Sequence, residues 1–287
     1  MAIGERRLHA VHEHHEYEGF DRPSSAARAP RVSIVMPTKN EAKNLPHVFE
    51  LIPDDIHEIV VVDGYSRDDT VRVAESLDAR VRVIEQTRPG KGNALAHGFG
   101  AVTGDIVVML DADCSADPRE IPRFVEALRR GADMAKGSRY MQGGGSDDIT
   151  RLRSQGNRRL TGMVNLLFRT SFTDLCYGYN AFWTHCLPQL AVDSDGFEVE
   201  TQIAIRAAKA KLRIEEVPSH EFSRLHGVSN LNAMRDGLRV QRTILRELAG
   251  QRGAPIVQHD ERRQHVRGVP TAAQLERRAC FVHGAFA

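Results

Sequence analysis

Over the first half of the chain, apolar residues come in short continuous blocks separated by polar loops rich in Gly, Pro and Asp. Residues 32–36, 58–63, 81–85, 106–110 and 133–139 predict strands, and the continuous apolar run 106–110, too short for a helix of its own, suits a strand covered on both faces. Amphipathic stretches lie between them. One is expected to be capped by Asn44 with Pro46 in its first turn, two more end near residues 77 and 102, and a fourth spans 118–130 with Ile121, Phe124, Val125 and Leu128 on one face. Strands alternating with helices over 32–139 predict an α/β fold whose central sheet is mostly parallel, flanked by helices and joined by right-handed crossovers.

Beyond Arg139 the pattern changes. Residues 141–148 are Gly-rich and expected to be mobile. Arg151, Arg153, Arg158, Arg159 and Arg169 make the next stretch basic, while Leu160, Met163, Val164, Leu167 and Phe168 recur at helical spacing. Residues 174–183 are aromatic-rich, 198–210 read as a helix, 213–217 as extended, 221–230 as a polar loop and 231–248 as a second amphipathic helix. The first 30 residues carry His9, His12, His14 and His15 without apolar periodicity and read as a disordered tail; 250–287 read as a loose one.

The polar positions at the strand ends carry the candidate chemistry. The 106–110 strand runs into Asp111-Ala112-Asp113. On an extended chain residues i and i+2 face the same way, so the two carboxylates would converge and repel unless a cation lies between them. Hard oxygen ligands suit Mg²⁺ or Mn²⁺, and Mg²⁺ usually completes its shell with phosphate oxygens and water. An Asp-rich turn that caps the next helix is the plainer alternative. The loops after Met36, Val62 and Leu110 all lie beyond the carboxyl ends of parallel strands, where such sheets bind ligands. Two nucleotide fingerprints are absent. Gly90-Lys91-Gly92-Asn93-Ala94-Leu95 lacks the last glycine of GxGxxG and follows the third strand, and no GxxxxGK[ST] occurs.

Composition narrows the classes. The 287 residues hold 39 basic against 38 acidic side chains, which gives no nucleic-acid signature. Cys114, Cys176, Cys186 and Cys280 show neither CxxC spacing nor disulfide density, as expected of reduced thiols in a cytoplasmic protein. No apolar stretch reaches the ~18 residues of a membrane span, and no signal-peptide pattern opens the chain.

Taken in order, VSIVMPTKNE, VVVDGYSRDDT, RPGKGNAL, DADCS, GSRY, YGYNAF and SRLHGVSNL resemble the motif series of family 2 glycosyltransferases of the GT-A fold, and among them the polyprenyl-phosphate mannose and glucose synthases. The resemblance covers roughly 31–248. It implies a glycosyltransferase domain over 31–249, with a nucleotide-sugar half at 31–139 and an acceptor half at 140–249. It places Pro37, Lys39, Glu41, Val61 and Asp63 about the nucleotide's base and ribose, and Lys91 in the Gly-Lys-Gly turn. Asp111, Ala112 and Asp113 would line the diphosphate, with Asp113 the foremost metal ligand, Asp111 beside it and Ser115 where a Gln is usual. Arg139 and Arg224 match arginines that hold phosphate oxygens. The chain departs from the pattern at Gly64 and Tyr65, where Asp and Gly are usual, and at Asn230, which stands for a Lys.

The implied reaction is transfer of a sugar from a UDP- or GDP-sugar with inversion, dependent on Mg²⁺ or Mn²⁺. The acceptor is open between a lipid phosphate such as a polyprenyl phosphate, which needs no base, and a hydroxyl, for which Asp174 is the candidate base. A sugar-phosphate nucleotidyltransferase and a non-catalytic nucleotide-binding protein stand as alternatives. In the 231–248 helix, Arg235, Arg239, Arg242 and Arg246 fall on one stripe beside Leu231, Leu238 and Leu245, with Met234 and Leu248 extending the apolar side and Asp236 and Glu247 off the stripe. That pattern predicts either an interfacial helix for peripheral membrane contact or a surface helix with its leucines in the core.

Overall fold

The computed structural model describes residues 28–228 and 231–250. The chain divides into two units, Met1–Pro30 and Arg31–Ala287, and the second holds the fold. The readings of the His-rich start, Asn230, Cys280 and the tail from 251 lie outside the described residues.

Strand and helix alternate through β1 (Val32–Thr38), α1 (Leu45–Phe49), β2 (Glu58–Asp63), α2 (Thr70–Leu77), β3 (Val81–Glu85), α3 (Lys91–Ala101), β4 (Ile106–Met109), α4 (Ile121–Arg129) and β5 (Met134–Ser138). There follow β6 (Gly145–Ser146), α5 (Arg151–Phe168), β7 (Asn180–Trp183), α6 (Leu187–Leu190), α7 (Val199–Lys209), β8 (Ile214–Pro218), β9 (His220–Glu221) and α8 (Ala233–Leu248). The main sheet has the order β3-β2-β1-β4-β7-β5-β8. It is parallel except for β7, which runs antiparallel to both β4 and β5. The chain therefore does not pass straight from β4 to its neighbour β5. A four-residue strand from the aromatic stretch is inserted between them, too short for its periodicity to announce it.

Alternation along the strands builds two cores. Ile34, Met36, Val61 and Val108 face α1 and α4, packing with Leu45 and Phe124. Val35, Val60, Val62 and Val107 face the other way, onto Leu95 and Phe99 of α3 and Ile203 of α7. A third cluster joins α5, α7 and α8 through Val164, Ile205, Val240 and Ile244.

Three local expectations are corrected. Asn44 makes no cap to α1. Its amide donates to Oε2 of Glu41 at 2.5 Å and its Oδ1 accepts from the His226 backbone at 3.0 Å, so it is spent on joining two loops. The Gly-rich 141–148 segment is not loose: β6 pairs with β9, and Asp147 N donates to Glu221 O at 2.8 Å. Leu238 and Leu245 of α8 do not enter the core. They are 50% and 54% exposed, and Met234 78%, while Val240, Thr243, Ile244 and the carboxylates of Asp236 and Glu247 face inward.

A buried ion cluster fixes α8 to the rest. Arg206 of α7 is enclosed, with Nε 2.7 Å from Glu247 Oε1 and a terminal nitrogen 2.7 Å from Asp193 Oδ2. Lys209 adds a bond of 3.0 Å to Glu247, and Arg246 one of 2.8 Å to Asp193. The segment following Asp193 packs on the start of α3, where Gly92 N donates to Asp195 O at 2.8 Å. A Cβ on Gly90 or Gly92 would collide with the carbonyls of Asp195 and Ser194, and Gly90 sits at φ 132°. The Gly-Lys-Gly pattern is thus required by close backbone packing.

Candidate active site

A cavity of about 750 Å³ opens at the carboxyl ends of β1, β2 and β4. It is lined by Pro37, Lys39 and Glu41 after β1, Lys91 of α3, Asp111, Ala112, Asp113 and Ser115 after β4, Arg139 after β5, and Arg224 in the loop before α8. Residues distant in sequence meet there because parallel strands end their loops on one edge.

Val61, Asp63 and Asp174 are not on that wall. The Val61 side chain points into the apolar core, so it offers no side-chain contact to a ligand in the cavity. Asp63 lies one residue behind the lining Gly64. Its Oδ2 accepts from Ser66 N at 3.1 Å, and its Oδ1 is buried without a partner among the described residues.

The Asp111-to-Ser115 segment is a turn, not a continued strand: β4 stops at Met109 and Cys114 adopts φ 67°. Each of the two carboxylates has its own cation. Asp111 Oδ2 is 2.7 Å from Lys91 Nζ, and Asp113 Oδ2 is 2.8 Å from an Arg224 nitrogen. The remaining oxygen of Asp113 accepts from Ser115 N at 3.0 Å. Arg224 also holds Glu41 Oε1 at 2.8 Å. Burial raises the pKa of Glu41, and Arg224 and Asn44 only partly offset it.

Lys91 also lies 2.7 Å from Glu200 Oε1. Glu200 lines the cavity from the first turn of α7 and is the functional group that sequence reasoning missed. One signal was available: on the face of α7 that carries Ile203, Ala204 and Ala207, Glu200 is the charged residue. Burial alone would discharge Lys91, but Asp111 and Glu200 outweigh it and hold the ammonium charged. Burial pushes the Glu200 carboxyl up, against the pull of Lys91.

Arg139 and Asp174 form a closed pair. Nε donates to Asp174 Oδ2 at 2.7 Å, a terminal nitrogen to Oδ1 at 3.0 Å, and Asn157 adds a third bond to Oδ1 at 2.8 Å. The other Arg139 terminal nitrogen reaches Glu221 Oε2 at 2.9 Å, and the guanidinium lies 4.9 Å from the Tyr177 ring centroid. Asp174 is fully buried; burial alone would raise its pKa, but the Arg139 bonds and charge prevail and hold it below the usual range. An enclosed carboxylate with both oxygens engaged cannot take a proton from an acceptor, so the assignment of Asp174 as a base is corrected. Its two oxygens instead hold the Arg139 guanidinium in place.

The donor set can be tested against Mg²⁺ or Mn²⁺. Among the described residues no three His, Cys, Asp or Glu side chains converge on one point. Asp111, Asp113 and the Ser115 hydroxyl present oxygen donors from one turn, with cations already beside both carboxylates. That set fits a hard divalent ion whose shell is finished by phosphate oxygens, and does not fit an all-protein cage.

From the outer side, Leu231, Arg235 and Arg239 of the α8 region and Arg153 of α5 complete the wall. Asp236 is closer to the arginine stripe than its sequence position suggested: it pairs with Arg235 and Arg239 at 3.5 Å each. Arg242 has no ion pair among the described residues.

A mostly parallel sheet flanked by helices, with nucleotide-type loops and a cation-bound carboxylate turn on one edge, defines a glycosyltransferase of the GT-A fold. The chain belongs to Glycosyl transferase family 2, whose profile matches residues 33–185. It is 33% identical over 211 residues to a dolichol-phosphate mannosyltransferase of Pyrococcus furiosus, covering 70% of this chain and 59% of that protein. It is 32% identical over 211 residues to glycosyltransferase AglJ of Haloferax volcanii, covering 72% of this chain and 68% of that protein. The chain thus spans under two thirds of the length of the first relative and slightly over that of the second. Among solved structures it resembles glucosyl-3-phosphoglycerate synthase from Mycobacterium tuberculosis in complex with phosphoglyceric acid, with a TM-score of 0.63 at 26% identity, covering 78% of this chain and 81% of that one. The same synthase in complex with Mn²⁺, uridine diphosphate and glucosyl-3-phosphoglycerate matches with a TM-score of 0.61 at 25% identity, covering 82% and 88%. Membership of this family places the chain among transferases and not among nucleotidyltransferases.

Proposed function

We propose that the protein transfers a sugar, with inversion, from a UDP- or GDP-sugar to a lipid phosphate of the polyprenyl type at a membrane surface, using Mg²⁺ or Mn²⁺. The observation that carries the acceptor half is α8. Its leucines are exposed while Arg235 and Arg239 line the cavity, so one helix offers an apolar face to acyl chains and a basic edge to phosphates. No helix among the described residues is long and apolar enough to cross a membrane, so this contact would be peripheral.

A bound divalent ion would supply Lewis acidity at the departing diphosphate, held by Asp113 and Asp111 with Ser115 in reach. Lys91 and Arg224 keep positive charge at the same place, fixed before the reaction by their carboxylate partners. Arg139, clamped by Asp174 and Glu221, adds a guanidinium at the far wall. Pro37, Lys39 and Glu41 would surround the base and ribose. A phosphate acceptor enters already anionic and needs no base, which agrees with the absence of a free carboxylate at Asp174. The structural likeness to glucosyl-3-phosphoglycerate synthase supports a second reading, a soluble phosphorylated acceptor.

The test combines turnover with liposome binding. Sugar nucleotides are screened for metal-dependent transfer to a polyprenyl phosphate, and sedimentation with anionic liposomes is measured at low and high salt. Binding at low salt, released at high salt and removed by Gln at Arg235, Arg239 and Arg242, is expected. No binding at any salt together with full transfer to a soluble phosphate ester would replace the lipid with the soluble acceptor.

A further inference from the structure

Lys136 of β5 is 1% exposed, and its side-chain nitrogen has no hydrogen-bond partner among the described residues. A cation so enclosed is costly unless charge nearby compensates it. The sheet register shows what lies beside it. Lys136 pairs with Asn180 of β7 on one side and with Glu216 of β8 on the other. Register partners on adjacent strands share a face, so the three side chains form one row across the sheet. Met134 and Phe182, two residues away on the same strands, belong to one apolar cluster with Val199 and Ile203, which puts the row on the α7 side.

Three carboxylates act on the Lys136 charge: Glu216 from β8, Asp174 from the segment before β7 and Glu200 from the first turn of α7. The Cys176 thiol is the other titratable group beside it. Burial lowers the Lys136 pKa, and these groups pull against burial. Each carboxylate is already bonded elsewhere. Asp174 is held by Arg139 and Asn157, Glu216 accepts from Thr173 N at 2.9 Å and Asp174 N at 3.3 Å, and Glu200 lies on Lys91. Lys136 therefore acts by its charge and not by a bond of its own.

Glu200 is where that charge reaches the cavity. Burial and Asp111 raise its carboxyl pKa, while Lys91 and Lys136 lower it. The backbone before β7 packs directly on the pair it makes with Lys91. A Cβ on Gly178 would stand 2.6 Å from Glu200 Oε1 and 2.8 Å from Lys91 Nζ.

We infer that Lys136 is a positioning residue for Lys91: it acts through Glu200, holding that carboxylate charged so that the Lys91 ammonium stays seated between Glu200 and Asp111 at the cavity wall. Its effect on turnover rests on the nucleotide-sugar reading above; the coupling of the two buried charges does not.

Two measurements on Lys136→Met, Lys136→Arg and Glu200→Gln test this. The first is the pH dependence of Mn²⁺-dependent turnover of a UDP- or GDP-sugar. In Lys136→Met the acid limb should move up by about one pH unit, because Glu200 then takes its proton earlier, while Lys136→Arg keeps the limb near its wild-type position. A limb unmoved in Lys136→Met would overturn the role of Lys136 and leave the donor site standing. The second is a double-mutant cycle in urea unfolding at pH 7.5. The fall in the folding constant caused by Lys136→Met should be about 10-fold smaller once Glu200→Gln is present, whereas additive effects would overturn the coupling. Lys136→Gln serves in both measurements where Lys136→Met does not fold. A wild-type chain that turns over no sugar nucleotide would overturn the donor reading and, with it, the effect of Lys136 on turnover; the cycle still decides whether Lys136 and Glu200 are coupled.

Discussion

The Lys91 ammonium lies 2.7 Å from Oδ2 of Asp111, a bond between the start of α3 and the turn after β4. Because Glu200 sits at the same distance from the same nitrogen, one buried cation separates two carboxylates. Lys91→Met is expected to destabilise the fold by ~3–5 kcal/mol near neutral pH, the usual cost of stranding a buried charge. Glu200 already has a raised pKa, and without Lys91 it rises further. A raised carboxyl favours the folded state below its unfolded pKa and loses that contribution as pH rises through the folded value. The deficit should therefore be smaller at pH 5.5 than at pH 7.5 in urea unfolding. An equal deficit at both would contradict the shared-cation account.

Asp174→Asn removes the partner of Arg139 and should cost ~3–5 kcal/mol near pH 7. Its sign with pH is the opposite one. The Asp174 pKa is depressed, so its contribution is present above the unfolded value of about 3.9 and disappears as pH falls through the lower folded value. Wild type and variant should thus converge in stability only below about pH 4, as followed by thermal unfolding. Activity should fall through Arg139, with kcat more affected than the affinity for the nucleotide.

Asp113→Ala should lower metal-dependent turnover by about 100-fold or more, with circular dichroism unchanged. The substitution also releases Arg224 from one of its two carboxylates. Turnover with Mn²⁺ near the wild-type level would remove Asp113 from the metal site.

The thiols should be sluggish in the native protein. Burial pushes Cys176 up to about 12, assisted by the charges of Glu200 and Asp174, and Cys114 up to about 11, assisted by Asp113 and Glu41. Burial likewise takes Cys186 to about 12. In a Cys280→Ser background, a disulfide reagent at pH 7.5 should modify these three far more slowly than a free thiol, and at normal speed once the chain is unfolded. Prompt labelling of Cys176, which borders the cavity, would show its surroundings to be open.

What the sequence made legible follows physical range. Strands such as 58–63 declare themselves by composition, and their parallel order follows from the helices between them. The convergence of Glu41, Asp111 and Asp113 followed from topology, since each belongs to a loop on one edge of the sheet, whereas Arg224 was indicated by the family resemblance alone. What escaped depends on contacts between segments far apart in the chain. Arg139 matched arginines that hold phosphate oxygens, and only the folded chain brings Asp174 and Glu221 against it. Asp236 sits off the arginine stripe on a helical wheel, yet its carboxylate reaches back to Arg235 and Arg239. Leu238 and Leu245 have the spacing of core residues, and no periodicity tells an inward leucine from an outward one.

The enclosed Arg206 determines where the molecule can be divided. Its carboxylates come from Glu247, in the last turn of α8, and from Asp193, whose neighbours brace Gly90 and Gly92. A stop codon or protease cut placed after residue 185, where the family match ends, would remove Glu200, Arg206 and the carbonyls against which the glycine turn is moulded. Even a cut just before Glu247 would leave a guanidinium sealed in the interior short of one counter-charge. Lys91, near the front of the chain, thus depends for its seating on a residue near the back of the fold, and the smallest piece that can keep the donor pocket in shape runs from β1 to the end of α8.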